Sequence, residues 1–175
     1  MRITMPRAAS IRRSGALALT AIATGVLLWP VAAQAATGSE LGTPVAQTDT
    51  SRGLPPGITS ALPVTFTAGD CRQFGNGTTD SLNSSVRLDR PDANGNSRVT
   101  WVAHTATRKT SNADIWHANF VFKTAFGTRI LTTGTFDSVP MTAINFPYAT
   151  VRSAPVRVDP ALFFAITQVD WFGDC

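Results

Sequence analysis

Two segments decide the fold: Arg98-Val99-Thr100-Trp101-Val102-Ala103-His104-Thr105-Ala106-Thr107 and, further on, Asp114-Ile115-Trp116-His117-Ala118-Asn119-Phe120-Val121-Phe122-Lys123-Thr124-Ala125-Phe126. In the first, Val99, Trp101, Ala103 and Thr105 recur at every second position; in the second, Trp116, Ala118, Phe120 and Phe122 do. A period of two places such residues on one face of an extended strand. The β-branched and aromatic content of both segments suits strands better than helices. A loop centred near Thr110-Ser111 joins the segments as a hairpin, with Trp101 expected opposite Phe120 and Val99 opposite Phe122. A one-residue slip would turn this apolar stripe toward water, so the pattern penalises it. In the same register His104 and His117 fall opposite each other on the other face.

Outward from this pair the chain keeps its β character. Val86 and Leu88 start a preceding strand, which ends at Asp92-Ala93-Asn94-Gly95-Asn96. Asn-Gly is a strong hairpin signal, because both residues accept the positive φ of a tight turn. Pro63–Thr67 reads as an earlier strand, and Gly69 to Ser85 as a polar loop. Thr128–Val139, Val151–Val158 and Ala161–Trp171 follow. Leu162-Phe163-Phe164-Ala165-Ile166, apolar on both faces, is expected centrally in a sheet. Turn residues bound these runs at short intervals, and about seven to nine strands result. The expected fold class is all-β: an antiparallel β-sandwich of immunoglobulin-like kind, with a small β-barrel as the alternative.

Charge and hydropathy divide the chain into three. It carries Lys+Arg 15 against Asp+Glu 11 over 175 residues, a net charge of +4, with a pI of about 9.8. Arg2, Arg7, Arg12 and Arg13 precede any acidic residue, an apolar stretch follows, and Ala33-Gln34-Ala35 offers a small-x-small cleavage site. Residues 1–36 are therefore expected to be a signal peptide, with general export favoured over the twin-arginine route. Pro30 and the short apolar length argue against a lasting membrane anchor. Without those four arginines the remaining charges balance, so the basic footprint of a nucleic-acid binder is missing. The excess of Arg over Lys and the abundant Ala suggest a GC-rich bacterial coding sequence. Residues 37–62, rich in Gly and Pro, are expected to form a flexible arm, with room in it for a short edge strand. Residues 63–175 are expected to form the single folded domain, and they hold all ten Phe.

The two cysteines are Cys71 and Cys175. In an exported chain they are expected to form one disulfide that closes nearly the whole domain. A localisation outside the cell follows from the same two signals.

The functional candidates are sparse. No Gly-x-Ser-x-Gly elbow or phosphate loop occurs, and Glu is absent from the domain. No cofactor and no metal is expected. His104 and His117, with Asp114, carry a weaker metal reading, and either histidine is the only available base for a small secreted hydrolase. Asp92, Asn94 and Asn96 alternate as calcium ligands do, but Ser97 stands where that pattern needs Gly, so a turn explains them better. Phe74 in the 69–85 loop, Tyr148 and Trp171 are the candidate recognition aromatics, together with the two histidines. In Pro140-Met141-Thr142-Ala143-Ile144-Asn145-Phe146-Pro147-Tyr148, Ile144 and Phe146 are expected to cap the core at a strand crossover, with a recognition patch as the alternative. The expected function is non-catalytic binding of an extracellular protein, of inhibitor or adhesin type. A cell-wall or polysaccharide ligand comes next, and the histidine hydrolase third.

Overall fold

In a computed structural model of the chain, residues 42–53, 56–76 and 82–175 are described; the expected signal peptide and the start of the arm lie outside them. The strands are β1 (Thr43–Asp49), β2 (Ser51–Gly53), β3 (Gly57–Ala61), β4 (Phe66–Ala68), β5 (Cys71–Gln73), β6 (Ser85–Asp89), β7 (Asn96–Thr107), β8 (His117–Thr124), β9 (Arg129–Thr132), β10 (Phe136–Asp137), β11 (Tyr148–Arg157) and β12 (Ile166–Asp174). One short helix, α1 (Pro160–Phe163), precedes β12.

The strands form two antiparallel sheets packed face to face, the expected β-sandwich. The smaller sheet runs β1-β12-β8-β10, with β9 also on β8. The larger runs β2-β3-β6-β7-β5-β4, with β11 on the other edge of β7. The turn at 92–96 joins β6 to β7 as a hairpin, with Val86 opposite Trp101 and Leu88 opposite Val99. Gly95 takes φ +82° there, a conformation that glycine adopts without strain. Asp92 organises the turn. Its Oδ1 accepts from the backbone N–H of Asn94 and Asn96 at 2.8 and 2.9 Å, and its Oδ2 from the Asn96 amide at 2.9 Å. The Asn96 side chain, then the Asn96 and Asn94 N–H groups and Arg157, hold the Asp92 carboxyl below its ordinary range. These residues turn donors, not oxygens, toward the carboxylate, as a turn requires and a calcium loop does not.

The expected faces of the two deciding segments are the observed ones: Val99, Trp101, Ala103, Trp116, Ala118, Phe120 and Phe122 are all buried. Their expected pairing is not. β7 lies in the larger sheet and β8 in the smaller, so the connection crosses from sheet to sheet instead of closing a hairpin. Trp101 and Phe120 still meet, but across the core, with ring centres 6.4 Å apart. Period two specifies which face is apolar, and a face can be covered either by a strand of the facing sheet or beside a strand of the same sheet. Here the facing-sheet solution buries both stripes at once.

Two further expectations are corrected. From Thr43 onward the 37–62 arm contributes more than a short edge strand: β1 adds to β12, β2 and β3 add to the larger sheet, and Ile58 and Leu62 are fully buried. Residues 162–166 are not a central strand. Asp159 caps α1 by accepting from the Ala161 N–H at 2.8 Å, and Pro160 occupies the first turn. An Asp-Pro pair is a helix start signal, because Pro pre-sets φ and lacks an N–H that would go unpaired there. Only Phe163 of that run turns inward before β12 begins at Ile166. The 69–85 segment also contains a strand, β5, and Thr128–Val139 splits into β9 and β10.

Cys71 and Cys175 are bonded, with Cα atoms 6.0 Å apart and a sequence separation of 104. Cys71 sits on β5 opposite Thr107 of β7, and Cys175 directly follows β12, so the bond joins the two sheets. In the chain-entropy picture, removing it as Cys71→Ser/Cys175→Ser lowers stability by about 4–5 kcal/mol. Urea unfolding of the variant and the oxidised protein checks this, and a loss below 1 kcal/mol contradicts it. Gly173 on β12 makes a second prediction. A Cβ there would lie 2.5 Å from Cζ2 of the Trp116 indole. Gly173→Ala is therefore expected to cost about 1–3 kcal/mol through overpacking, measured in the same assay.

Candidate functional site

The bridged end of the sandwich carries a loop built for exposure. Residues 138–147 connect β10 to β11, and 140–147 form its arch. Their entry is anchored on both sides. Met141 exchanges backbone hydrogen bonds with Asp114, donating at 2.8 Å and accepting at 3.2 Å, and its side chain is fully buried. Ser138 accepts from the Trp116 N–H at 2.9 Å, and Thr150 from the Val139 N–H at 3.0 Å. At the top of the arch the Asn145 N–H donates to the Thr107 carbonyl at 2.7 Å. Asn145 has φ +57°, a left-handed conformation that Asn tolerates better than most side chains.

Tyr148 locks the arch from within. Its phenol oxygen accepts from the Ala143 N–H at 2.8 Å and the Thr142 N–H at 3.0 Å, and meets the Thr142 hydroxyl at 3.2 Å. The Phe146 ring stands edge-on to Tyr148, with centres 5.1 Å apart. The outcome is a braced loop whose apolar side chains point outward: Ile144 is 54% and Phe146 56% exposed. They do not cap the core as expected; Met141 does. The reason is the set of anchors at Met141, Asn145 and Tyr148, the last paired with Thr105 of β7, which leaves Ile144 and Phe146 on the outside of the bend.

The remaining predicted residues are dispersed. Phe74 is 8% and Trp171 1% exposed, so neither is a surface anchor. Arg72 stacks over the Phe74 ring at 4.9 Å. Trp171 is structural: its indole N–H donates to Ser60 at 3.0 Å and Thr48 at 3.2 Å, tying β12 to β3 and β1. His104 and His117 do not meet, because β7 and β8 are in different sheets. His117 pairs with Asp137 at 2.7 Å, with both side chains exposed. His104 makes no side-chain hydrogen bond among the described residues, its Nδ1 being buried. Neither imidazole is bonded to a hydroxyl or thiol among the described residues, so no nucleophile–base pair is assembled there.

Among the described residues one group of potential metal ligands gathers, Cys71, Asp114 and Cys175. Both sulfurs are spent in the disulfide and Asp114 Oδ2 accepts from the Thr107 hydroxyl at 2.5 Å, so the group lacks the thiolates a metal would need. A separate open groove of about 510 Å3 lies at the β1–β2 corner. Its walls carry hydroxyls and amides, among them Gln47, Thr50, Ser51, Thr59 and Asn76.

Sequence reasoning missed the apolar side chains at the opposite end. Phe126, in the β8–β9 turn, is 97% exposed, and Leu162 and Phe164 around α1 are 46% and 55% exposed. The Asp159-Pro160 cap was the available signal for the latter two. Compared with known protein families, characterised proteins and solved structures, the chain matches none.

Tyr148 offers a direct probe of the braced loop. The Thr142 hydroxyl, then the Ala143 and Thr142 N–H groups, stabilise the phenolate and bring the phenol below its ordinary value. It is the only tyrosine in the chain. Absorbance at about 295 nm should therefore report one phenolate titrating below pH 10, the free-tyrosine value. A folded pKa below the unfolded one means that stability is gained as pH rises through this ionisation and is lost again as pH falls. Thr142→Val should move the transition upward. An unshifted titration in the parent protein would show that the loop is not braced.

Proposed function

We propose that this chain is a secreted, non-catalytic binding protein that engages an extracellular protein partner through the 140–148 loop. The observation that carries the reading is the loop itself: two large apolar side chains more than half exposed on an arch held by Tyr148 and by backbone bonds to β7 and Asp114. Apolar and aromatic side chains on a rigid support are the usual anchors of protein interfaces, because little ordering entropy is lost when they dock. The disulfide is compatible with an oxidising compartment, and the signal-peptide pattern of residues 1–36 supports export. After removal of those residues no stable membrane insertion is expected, and no helix among the described residues is long and apolar enough to cross a membrane. Balanced charge makes nucleic acid a poor partner.

A polysaccharide ligand is the second reading, and the hydroxyl- and amide-lined groove at the β1–β2 corner favours it. It lacks an aromatic platform: Trp101, Trp116 and Trp171 are all buried, and the Tyr148 hydroxyl is engaged inside the loop.

The two readings separate in one experiment. The immobilised mature protein is offered purified secreted proteases of several mechanistic classes, and in parallel is sedimented with insoluble chitin, cellulose and cell wall. Saturable binding to a protein, weakened about tenfold or more in Ile144→Ser/Phe146→Ser, is the expected result. Retention on a polysaccharide that the double substitution leaves unchanged would overturn the proposal, as would protein binding indifferent to it.

A further inference from the structure

The end of the sandwich opposite the disulfide carries a second, chemically different surface. Phe164 follows α1 with its ring 55% exposed. Two guanidinium groups rest on that ring: Arg90 at 5.2 Å and Arg52 at 5.5 Å from its centre. Arg52 also lies 5.6 Å from the buried Phe163 ring and donates to the Phe164 carbonyl at 3.0 Å. Arg90 is exposed and makes no side-chain hydrogen bond to any described residue. Beside it the turn at 90–93 and α1 enclose a depression of about 250 Å3 walled by Pro91, Ala93, Pro160 and Phe163.

Holding two like charges on one ring is unfavourable unless an anion joins them, and among the described residues no carboxylate pairs with either arginine. The acidic side chains of this end are committed elsewhere. Asp89 pairs with Arg87 at 2.8 Å, Asp159 caps α1, and Asp92, which also lines the depression, is held by the N–H groups of its own turn. Both guanidinium groups lie at cation–π distance from the ring, 5.2 and 5.5 Å, and Arg in such a setting can still receive a carboxylate through the N–H donors that remain. The apolar walls and the exposed Leu162 add a seat for an aliphatic or aromatic side chain between the charges.

We propose that this surface is a binding site for an acidic peptide segment, with carboxylates on Arg52 and Arg90 and an intervening apolar side chain in the depression. A peptide is favoured over an acidic polysaccharide because the site mixes cations with an apolar hollow and has no exposed tryptophan. The site stands apart from the 140–148 loop and does not depend on the proposal made for it.

The test uses the mature protein and three probes: the acetylated pentapeptide Glu-Leu-Glu-Phe-Glu, its Gln-for-Glu counterpart, and sodium alginate. Calorimetry should detect salt-sensitive binding of the acidic peptide, at least tenfold weaker for its Gln counterpart. Arg52→Gln/Arg90→Gln should weaken it at least tenfold. Arg90→Lys, which keeps the charge but loses the planar fork, should fall between. Arg108→Gln/Lys109→Gln, at the bridged end, removes equal charge and should leave binding unchanged, as should Ile144→Ser/Phe146→Ser. Circular dichroism confirms that each variant is folded. Absence of peptide binding, an equal loss in the Arg108/Lys109 control, or tighter binding of alginate than of the peptide would overturn the proposal.

Discussion

The structure depends on aromatic packing between two sheets that share almost no backbone. Phe120 is central: its ring stands edge-on to Trp171 on the neighbouring strand at 4.9 Å, and tilts against Phe136 at 5.8 Å and Trp101 at 6.4 Å. Trp101 comes from the larger sheet and the other three from the smaller. Edge-to-face and tilted geometries satisfy the ring quadrupoles, and each ring buries a large apolar area. Trp116 extends the same layer toward the bridged end, against Phe66 at 6.1 Å and against Gly173, where even a methyl group would collide with the indole. Close packing of this kind leaves β7 and β8 one relative position. The disulfide and the Trp171 bonds to Ser60 and Thr48 then pin the two sheets together at its periphery.

That arrangement explains which features could be read from residues alone. Alternation in 98–107 and 116–122 gave the correct inward faces, because any wrong face would bury His104 or Lys123 without a partner. It gave the wrong neighbour. The nine-residue connection between β7 and β8 suits a hairpin or a crossing between sheets equally well, and the choice is made by how Trp101 and Phe120 fit, which no local pattern encodes. The Asn-Gly hairpin between β6 and β7 was legible because its signal is local. The Asp159-Pro160 cap was equally local, but the apolar run that follows it obscured it. Ile58 and Leu62 were obscured in the opposite way, as two apolar positions in a segment whose Gly and Pro content suggests an arm. Their burial depends on β6, whose pairing with β3 is long-range.

The recognition residues were less legible than the core. Phe74 and Trp171 look like surface anchors in a linear reading, because one lies in a polar stretch and the other in an end segment. Both are buried by strands distant in sequence. Ile144 and Phe146 are the reverse case: an apolar, proline-flanked segment reads as core, and only the anchoring of Met141 on Asp114 and of Asn145 on Thr107 shows that the bend carries them outward. Exposure is a property of the assembled chain, so aromatic content alone cannot separate a cap from a patch.

The two ends of the sandwich also differ in how their exposed apolar groups are supported, and that difference bears on what each can bind. At the bridged end the support is neutral and internal, a phenol oxygen filled by backbone donors, so Ile144 and Phe146 present shape and apolar area with little charge of their own. At the α1 end the support is cationic and external, two guanidinium groups at cation–π distance from the exposed Phe164 ring. A surface of the first kind discriminates partners by fit, and its affinity should respond weakly to ionic strength. A surface of the second kind discriminates by charge, and its affinity should fall as salt screens the pairs. Because the rigid aromatic core holds the ends apart, one protein partner large enough to reach both, or two separate partners, would meet surfaces with distinct physical selectivity.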